Sequence, residues 1–295
     1  MSTPRITQRM SVATSVAALQ AGMGRLARSQ EKLSTGRTIN RPSDSPTGTN
    51  DAMRLRAELA AKAQYTRNAE DGQSWLGNAD STLTSMLDEV RVARNLVVQG
   101  ASTGSADQDA REALARQVTQ IRDGLLSEAN TQHLGRPLFG GTTANTAAYD
   151  ATGTYVGDGG DVSRTIGKGI SLPVNVTGPQ AFSSGSDDLF GVLDDVIDQL
   201  RTDPASLGTS LDRLDAVSGS MRTALADVGA RENRVDTALS TLSSTTLDTR
   251  SALSGVEDVD IASATMDLQM QEVAYQASLA ATARVIQPSL VDFLR

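Results

Sequence analysis

Residues 11–46 read SVATSVAALQAGMGRLARSQEKLSTGRTINRPSDSP, and this stretch decides the fold. Val12, Val16, Leu19, Met23, Leu26 and Leu33 recur at alternating steps of four and three, with Gln30 filling one turn. That is a heptad seam, the pattern of a helix that buries a narrow apolar stripe against partner helices. The seam stops at Ser34-Thr35-Gly36, where Gly36 can take the left-handed cap conformation. Pro42 and Pro46 then punctuate the segment that follows, so the helix cannot run on. A seam ending here needs a partner, and the best candidate lies at the other end of the chain.

There the spacing predicts a last helix after Gly255, capped by Asp258 or Asp260. Met266, Met270, Val273, Ala277 and Ala280 fall on one stripe of it. Leu268, Tyr275, Leu279 and Ile286 fall on another. Two apolar faces on one helix imply burial on two sides, more than a two-helix hairpin needs.

Between these ends the chain alternates helical signal with one region of different character. A second helical region is expected from about Asp51 to Gln99, with Leu55, Leu59, Leu76, Leu83, Leu87, Val90 and Val97 at helical spacing. Gly72, Gly77 and Asn78 predict a bend or break in its middle. Gly100–Gly104 reads as a turn, and Ser105 with Gln108 as a capping box for a helix that fades near Asn130. Gly, Thr, Asn and Val then dominate as far as about Gly185. Thr154–Val156 and Val162–Ile166 predict a hairpin, and Leu172–Val176 a third strand that Pro173 confines to an edge. Helical signal resumes at Asp187, breaks at Asp203-Pro204, and continues from Leu207 to about Leu253.

The layout is nearly palindromic. It predicts a mainly α fold: an elongated antiparallel helical bundle or coiled coil formed by the N- and C-terminal halves, with a small β-rich insert at its tip. The expected divisions are residues 1–41, an N-terminal axial helix; 42–140, half of a helical core; 141–185, the insert; 186–255, the other half; and 256–295, a C-terminal axial helix.

Composition narrows the functional classes. Aromatic residues make up 3% of the chain, thin for a compact globule but suited to long helices packed side by side. Net charge is −8 with no basic stripe, which argues against a nucleic-acid partner. There is no Cys, so disulfides and thiolate metal sites are excluded. No window approaches the apolar run of a membrane span, so no membrane insertion is expected. Met1–Met10 carries Arg5 and Arg9 without an apolar core after them, unlike a cleaved signal peptide.

The motifs that might carry chemistry do not survive their context. Gly100-Ala101-Ser102-Thr103-Gly104 matches a nucleophile elbow, but a helix precedes it where a strand is required, and the chain has one His. Gly167-Lys168 lacks the upstream Gly and the following hydroxyl of a phosphate loop. His133 reads as a surface or loop residue. Asp187, Asp188, Asp194, Asp195 and Asp198 lack calcium-loop spacing and read as a solvated helix face. Asn175-Val176-Thr177 fits a glycosylation acceptor, a short pattern frequent by chance. No catalytic residue, cofactor or metal ligand is assigned.

The terminal stretches resemble a known family. Leu33-Ser34-Thr35-Gly36-Arg37-Thr38-Ile39-Asn40 is similar to the N-terminal signature of the flagellin superfamily. Arg41–Pro46 is closer to the hook–filament junction branch, hook-associated protein 3, than to filament flagellins. Ala129-Asn130-Thr131, Gly135–Gly141, Tyr155–Asp158, Val174–Gly178, Tyr275–Arg284 and Leu290–Leu294 also resemble that branch. Pro137 departs from it, standing where an aromatic is common, and the insert is short.

The resemblance implies a structural component of the bacterial flagellum and no enzyme. It implies an extracellular location reached through the flagellar type III pathway, without a cleaved signal peptide. The implied partners are other copies of the chain in a ring, hook-associated protein 1 on the hook side, flagellin on the filament side, and an export chaperone. The implied assembly interface is Val12, Val16, Leu19, Met23, Leu26, Leu33, Met266, Met270, Val273, Ala277, Leu279 and Ile286. Both axial helices are expected to be disordered in the monomer and to fold on assembly. A short filament flagellin and a non-flagellar coiled-coil interaction protein remain as alternatives.

Overall fold

The computed structural model describes residues 8–102 and 108–286. Among the described residues the fold is mainly α, with three small antiparallel strand pairs. The chain divides into two compact units, residues 61–245 and residues 1–60 with 246–295. Helices α2 (Pro46–Ser102) and α6 (Leu207–Glu257) contribute to both.

The unit of residues 61–245 holds the larger core. Helix α3 (Gln108–Ala129) turns back along α2 and presents Leu114, Ala115, Val118 and Leu125 to the interior. Helix α5 (Leu189–Thr202) packs on α3, with Phe190, Val192, Leu193, Val196, Ile197 and Leu200 buried. Helix α6 runs antiparallel to α2. Gln73 donates to Asp236 at 2.7 Å and Arg94 to Asp215 at 2.6 Å, so one number falls as the other rises. The scarce aromatics are concentrated rather than spread. Phe139, Phe182, Tyr149 and Phe190 stack edge to face, with centroids 4.9 Å apart for Phe139–Phe182 and 5.0 Å for Tyr149–Phe190.

The β-rich part consists of β1 (Gln132–His133) with β2 (Arg136–Pro137), β3 (Ser163–Gly167) with β4 (Ile170–Pro173), and β5 (Ser183–Ser184) with β6 (Asp187–Asp188). Helix α4 (Gly178–Phe182) precedes β5. Polar staples hold the intervening loops. Asn130 Oδ1 accepts from the N–H of Ala148 and Tyr149, and Asp158 Oδ1 accepts from Thr142 and Gly160. Gly141 has φ of 73° and lies against Asp158, where any side chain would collide.

Several expectations are corrected here. Helix α2 passes through Gly72, Gly77 and Asn78 without a break. The space left by Gly72 is taken by Val174, so tertiary packing overrides the propensity cost there, while at Gly77 a methyl would meet Glu232 at an ordinary contact distance of 3.4 Å. The expected turn at Gly100–Gly104 begins as helix, since α2 continues to Ser102. Gly104, Ser105 and the rest of the proposed capping box, apart from Gln108, lie outside the described residues.

The hairpin joins Ser163–Gly167 to Ile170–Pro173, so Gly167-Lys168 lies at its turn. Tyr155, expected in its first strand, instead bridges Tyr149 and stacks on it at 5.3 Å. Asp187 lies in a strand, and Asp188 caps α5 by accepting from Phe190 N–H. His133 is buried rather than on the surface. Its ring packs against Trp75 at 5.2 Å and its Nδ1 shares a 2.8 Å hydrogen bond with Asn78. Asn175 is also internal: its amide accepts from Val162 N–H and donates to Gly160. Such a side chain is in no position to take a glycan.

Candidate assembly interface

The unit of residues 1–60 and 246–295 is built on the pairing of α1 (Gln8–Thr35) with α7 (Ile261–Ile286). The chain leaves α1 at Gly36, whose φ of 70° makes the left-handed cap expected there. Its carbonyl accepts from Val259 N–H at 2.9 Å. Thr38 then donates its N–H to the Glu257 carbonyl at 2.7 Å and its hydroxyl to that of Asp258 at 3.1 Å. The signature segment is thus pinned to the residues that precede α7.

Three further features fix this joint. Arg56 meets Glu257 at 2.7 Å, and the Glu257 side chain is only 6% exposed. Asp44 accepts from the N–H groups of Asn40 and Arg41, which holds its carboxyl below the usual range and closes the Pro42–Ser45 turn. Asp260 caps α7: it accepts from the Ser263 hydroxyl and from the N–H groups of Ser263 and Ala262, and its carboxyl is lowered accordingly.

Helices α1 and α7 run antiparallel. Arg25 Nε donates to Gln271 at 3.3 Å, and Gly22 lies against the Tyr275 ring. The seam residues Leu19, Leu26 and Leu33 are half-buried, as are Leu268 and Tyr275, while Ala264 and Thr282 are buried. Met266, Met270, Val273 and Ala277 lie on the opposite side of α7, since residues two apart stand roughly 200° round a helix. They are exposed, at 61% for Met266 and 66% for both Met270 and Val273.

The residues of the implied interface therefore fall into two groups. Leu19, Leu26 and Leu33 belong to the face that α1 turns to α7. Val16, Met23, Met266, Met270, Val273, Ala277 and Leu279 are exposed. The side chains of Val12 and Ile286 lie outside the described residues. Sequence reasoning missed Met10 and Ile261, which are also exposed, and the Gly22–Tyr275 approach. The heptad spacing left Gly22 unassigned because a glycine adds nothing to an apolar stripe.

Four apolar side chains in a row on one helix form a sticky ridge, and contiguous exposed apolar surface marks an interaction site. Burying a side chain of the Met or Val class stabilises by about 1.5–3 kcal/mol, so a partner covering the ridge gains several kcal/mol per copy. Among the described residues no group of three His, Cys, Asp or Glu is placed to hold a metal ion. No described helix is long and apolar enough to cross a membrane.

The sequence profile of the bacterial flagellin N-terminal helical region matches residues 6–154. That of the flagellin C-terminal helical region matches residues 211–294. The chain belongs to the bacterial flagellin family. The two matches take in both terminal helices and the signature segment between α1 and α2. Relatives differ in how much of the chain they follow. Flagellar hook-associated protein 3 of Salmonella typhimurium is 28% identical over 276 residues, covering 84% of this chain and 86% of that protein. Polar flagellin F of Vibrio parahaemolyticus is 33% identical over 139 residues, covering 45% of this chain and 37% of that protein. The fold matches that of a flagellar hook-associated protein from Vibrio parahaemolyticus with a TM-score of 0.66 at 24% identity. That superposition covers 73% of this chain and 100% of the other. This flagellin-family chain is a structural component of the bacterial flagellum.

Proposed function

We propose that this flagellin-family chain is an adapter at the hook–filament junction and seats the first flagellin subunits. One observation carries the reading. Similarity to hook-associated protein 3 runs through 84% of the chain, middle included, whereas similarity to polar flagellin F spans 45%. A short filament flagellin would share its middle with flagellins.

The mechanism is assembly, with no catalytic step. Copies form a ring, meeting hook-associated protein 1 on the hook side and flagellin on the filament side. The chain reaches that place through the flagellar type III pathway, held by an export chaperone and without signal-peptide cleavage. The axial segments 1–41 and 256–295, of which residues 1–7 and 287–295 lie outside the described residues, act through α1 and α7, which become ordered only on assembly; residues 42–140 and 186–255 form the helical core, and 141–185 the insert. Support for the role of the axial segments comes from the exposed Met266, Met270 and Val273, which no other described residue covers. An ordering cost met only when many copies bury such faces together gives assembly its switch-like character.

Deletion of the gene is the test. The expected result is cells with hooks but no filaments, shedding flagellin into the medium, with gold-labelled antibody to the restored protein marking the hook–filament boundary. Label along the whole filament would replace this reading with the short-flagellin one. Normal filaments in the deletion strain would end both.

A further inference from the structure

The sulfur of this chain is divided sharply between its two units. There is no Cys, so methionine thioethers are its only sulfur. Met10, Met23, Met53, Met266 and Met270 are between 56% and 66% exposed, and all five belong to the unit of residues 1–60 and 246–295. Met86 and Met221 belong to the unit of residues 61–245, and both are 0% exposed. The single Trp and the single His, which strong oxidants also attack, are shielded in that same unit, Trp75 at 2% and His133 at 8%.

The surface most open to an oxidant therefore coincides with the unpartnered ridge. Met266 and Met270 stand one turn apart on α7, on the face that carries Val273 and Ala277. Whether α1 and α7 are paired or unordered in the single chain, these thioethers meet solvent.

We propose that the five exposed methionines are modification sites for peroxides, and that oxidation of Met266 and Met270 keeps an unseated copy out of the junction. The consequence for assembly rests on the junction reading above. In the reaction with hydrogen peroxide the thioether sulfur attacks one peroxide oxygen. An S–O bond forms as the O–O bond breaks, sulfur gives up two electrons, and the proton of the transferred oxygen passes to the departing oxygen, which leaves as water. The product is methionine sulfoxide, a polar side chain in place of an apolar one. Its oxygen accepts hydrogen bonds strongly, and burial against an apolar partner surface leaves that oxygen without a donor, at a cost the thioether does not carry. A copy already seated has its ridge covered and is protected.

Peroxide treatment of the purified full-length chain, stopped at intervals and read by peptide mass spectrometry, tests the chemistry. Met266 and Met270 should gain an oxygen at least about tenfold faster than Met86 and Met221, which react only when the core opens. Equal rates would overturn the proposal. The consequence is tested in the deletion strain with Met266→Gln, Met270→Gln, which makes the two positions permanently polar, and with Met266→Leu, Met270→Leu, which keeps them apolar. The Gln pair should lose filament outgrowth and the Leu pair should keep it, with both chains melting as the wild type does. Normal filaments from the Gln pair would overturn the proposal and leave the junction role standing, since deletion of the gene tests that role separately. Loss of filaments from the Leu pair as well would overturn it by showing that polarity is not what decides.

Discussion

Arg122 and Asp194 form a two-pronged ion pair, Nε donating to Oδ1 at 2.6 Å and Nη2 to Oδ2 at 3.1 Å. The same Nη2 donates to the Thr152 carbonyl at 2.8 Å, so one guanidinium joins α3, α5 and the Asp150–Thr154 loop. The Arg122 side chain is 11% exposed and that of Asp194 is 48% exposed. Asp194→Ala leaves a mostly buried guanidinium with only Asp123, at 3.4 Å, and the Thr152 carbonyl to meet it. It should cost about 2 kcal/mol, below the range for a fully buried pair because half of Asp194 already sees water. Arg122→Met keeps the packed stem and leaves Asp194 to solvent, so it should cost less. Urea unfolding of the two variants measures the order, and an Arg122→Met loss equal to or larger than that of Asp194→Ala would refute this account.

Leu134 has φ of 50° and is one of the two residues in the turn between β1 and β2. It buries nothing there. A left-handed conformation suits Asn or Gly far better than Leu. Leu134→Asn is expected to stabilise by about 0.5–1 kcal/mol, a gain in backbone fit without loss of packing. Gly135→Ala, at φ of 78°, should destabilise instead. Thermal melts of both variants moving in the same direction would contradict the turn geometry.

The pairing of α1 was legible in part: of its heptad seam Leu19, Leu26 and Leu33 are half-buried, whereas Val16 and Met23 are exposed. The doubled face of α7 could be read from its helical spacing: Leu268 and Tyr275 turn to α1 while Met270 and Val273 do not. What failed depended on distant partners. Gly72 reads as a helix breaker in isolation, and only Val174, far along the chain, explains why a helix keeps it. His133 looks like a loop histidine until Trp75 and Asn78 close over it. Tyr155 carries strand propensity, but stacking on Tyr149 decided its place instead.

Asp215 and Arg94 give the stability profile its acid limb. Hydrogen bonds from Arg94, then its charge, hold the Asp215 carboxyl below the usual range. A depressed carboxyl contributes stability above its unfolded value of about 3.9, and that contribution is lost as pH falls through the folded value. Both side chains are more than a third exposed, at 40% and 42%, so screening trims the effect. Asp215→Asn should lower the melting temperature at pH 7 and leave it unchanged near pH 2. An equal drop at both values would mean that the residue acts through packing.

The terminal helices allow assembly and folding to be separated. Met270 and Val273 are exposed on α7, whereas Leu26 and Leu268 are half-buried where α1 meets α7. Asp at positions 270 and 273 adds charge to a face that water already covers in the single chain. The monomer's melting curve should therefore barely move. In an assembled ring the same charges would be desolvated without partners, a penalty of several kcal/mol each. Filament outgrowth should fail, with flagellin accumulating in the medium. Asp at positions 26 and 268 should instead reduce the helix content of the isolated chain wherever α1 and α7 are paired. If the single chain leaves both helices unordered, as the junction reading holds, the two double variants will have the same circular dichroism and both will fail in assembly. Normal filaments from cells making only the Met270→Asp, Val273→Asp protein would remove this ridge from the interface. A large drop in that variant's melting temperature would place the ridge in an intramolecular core.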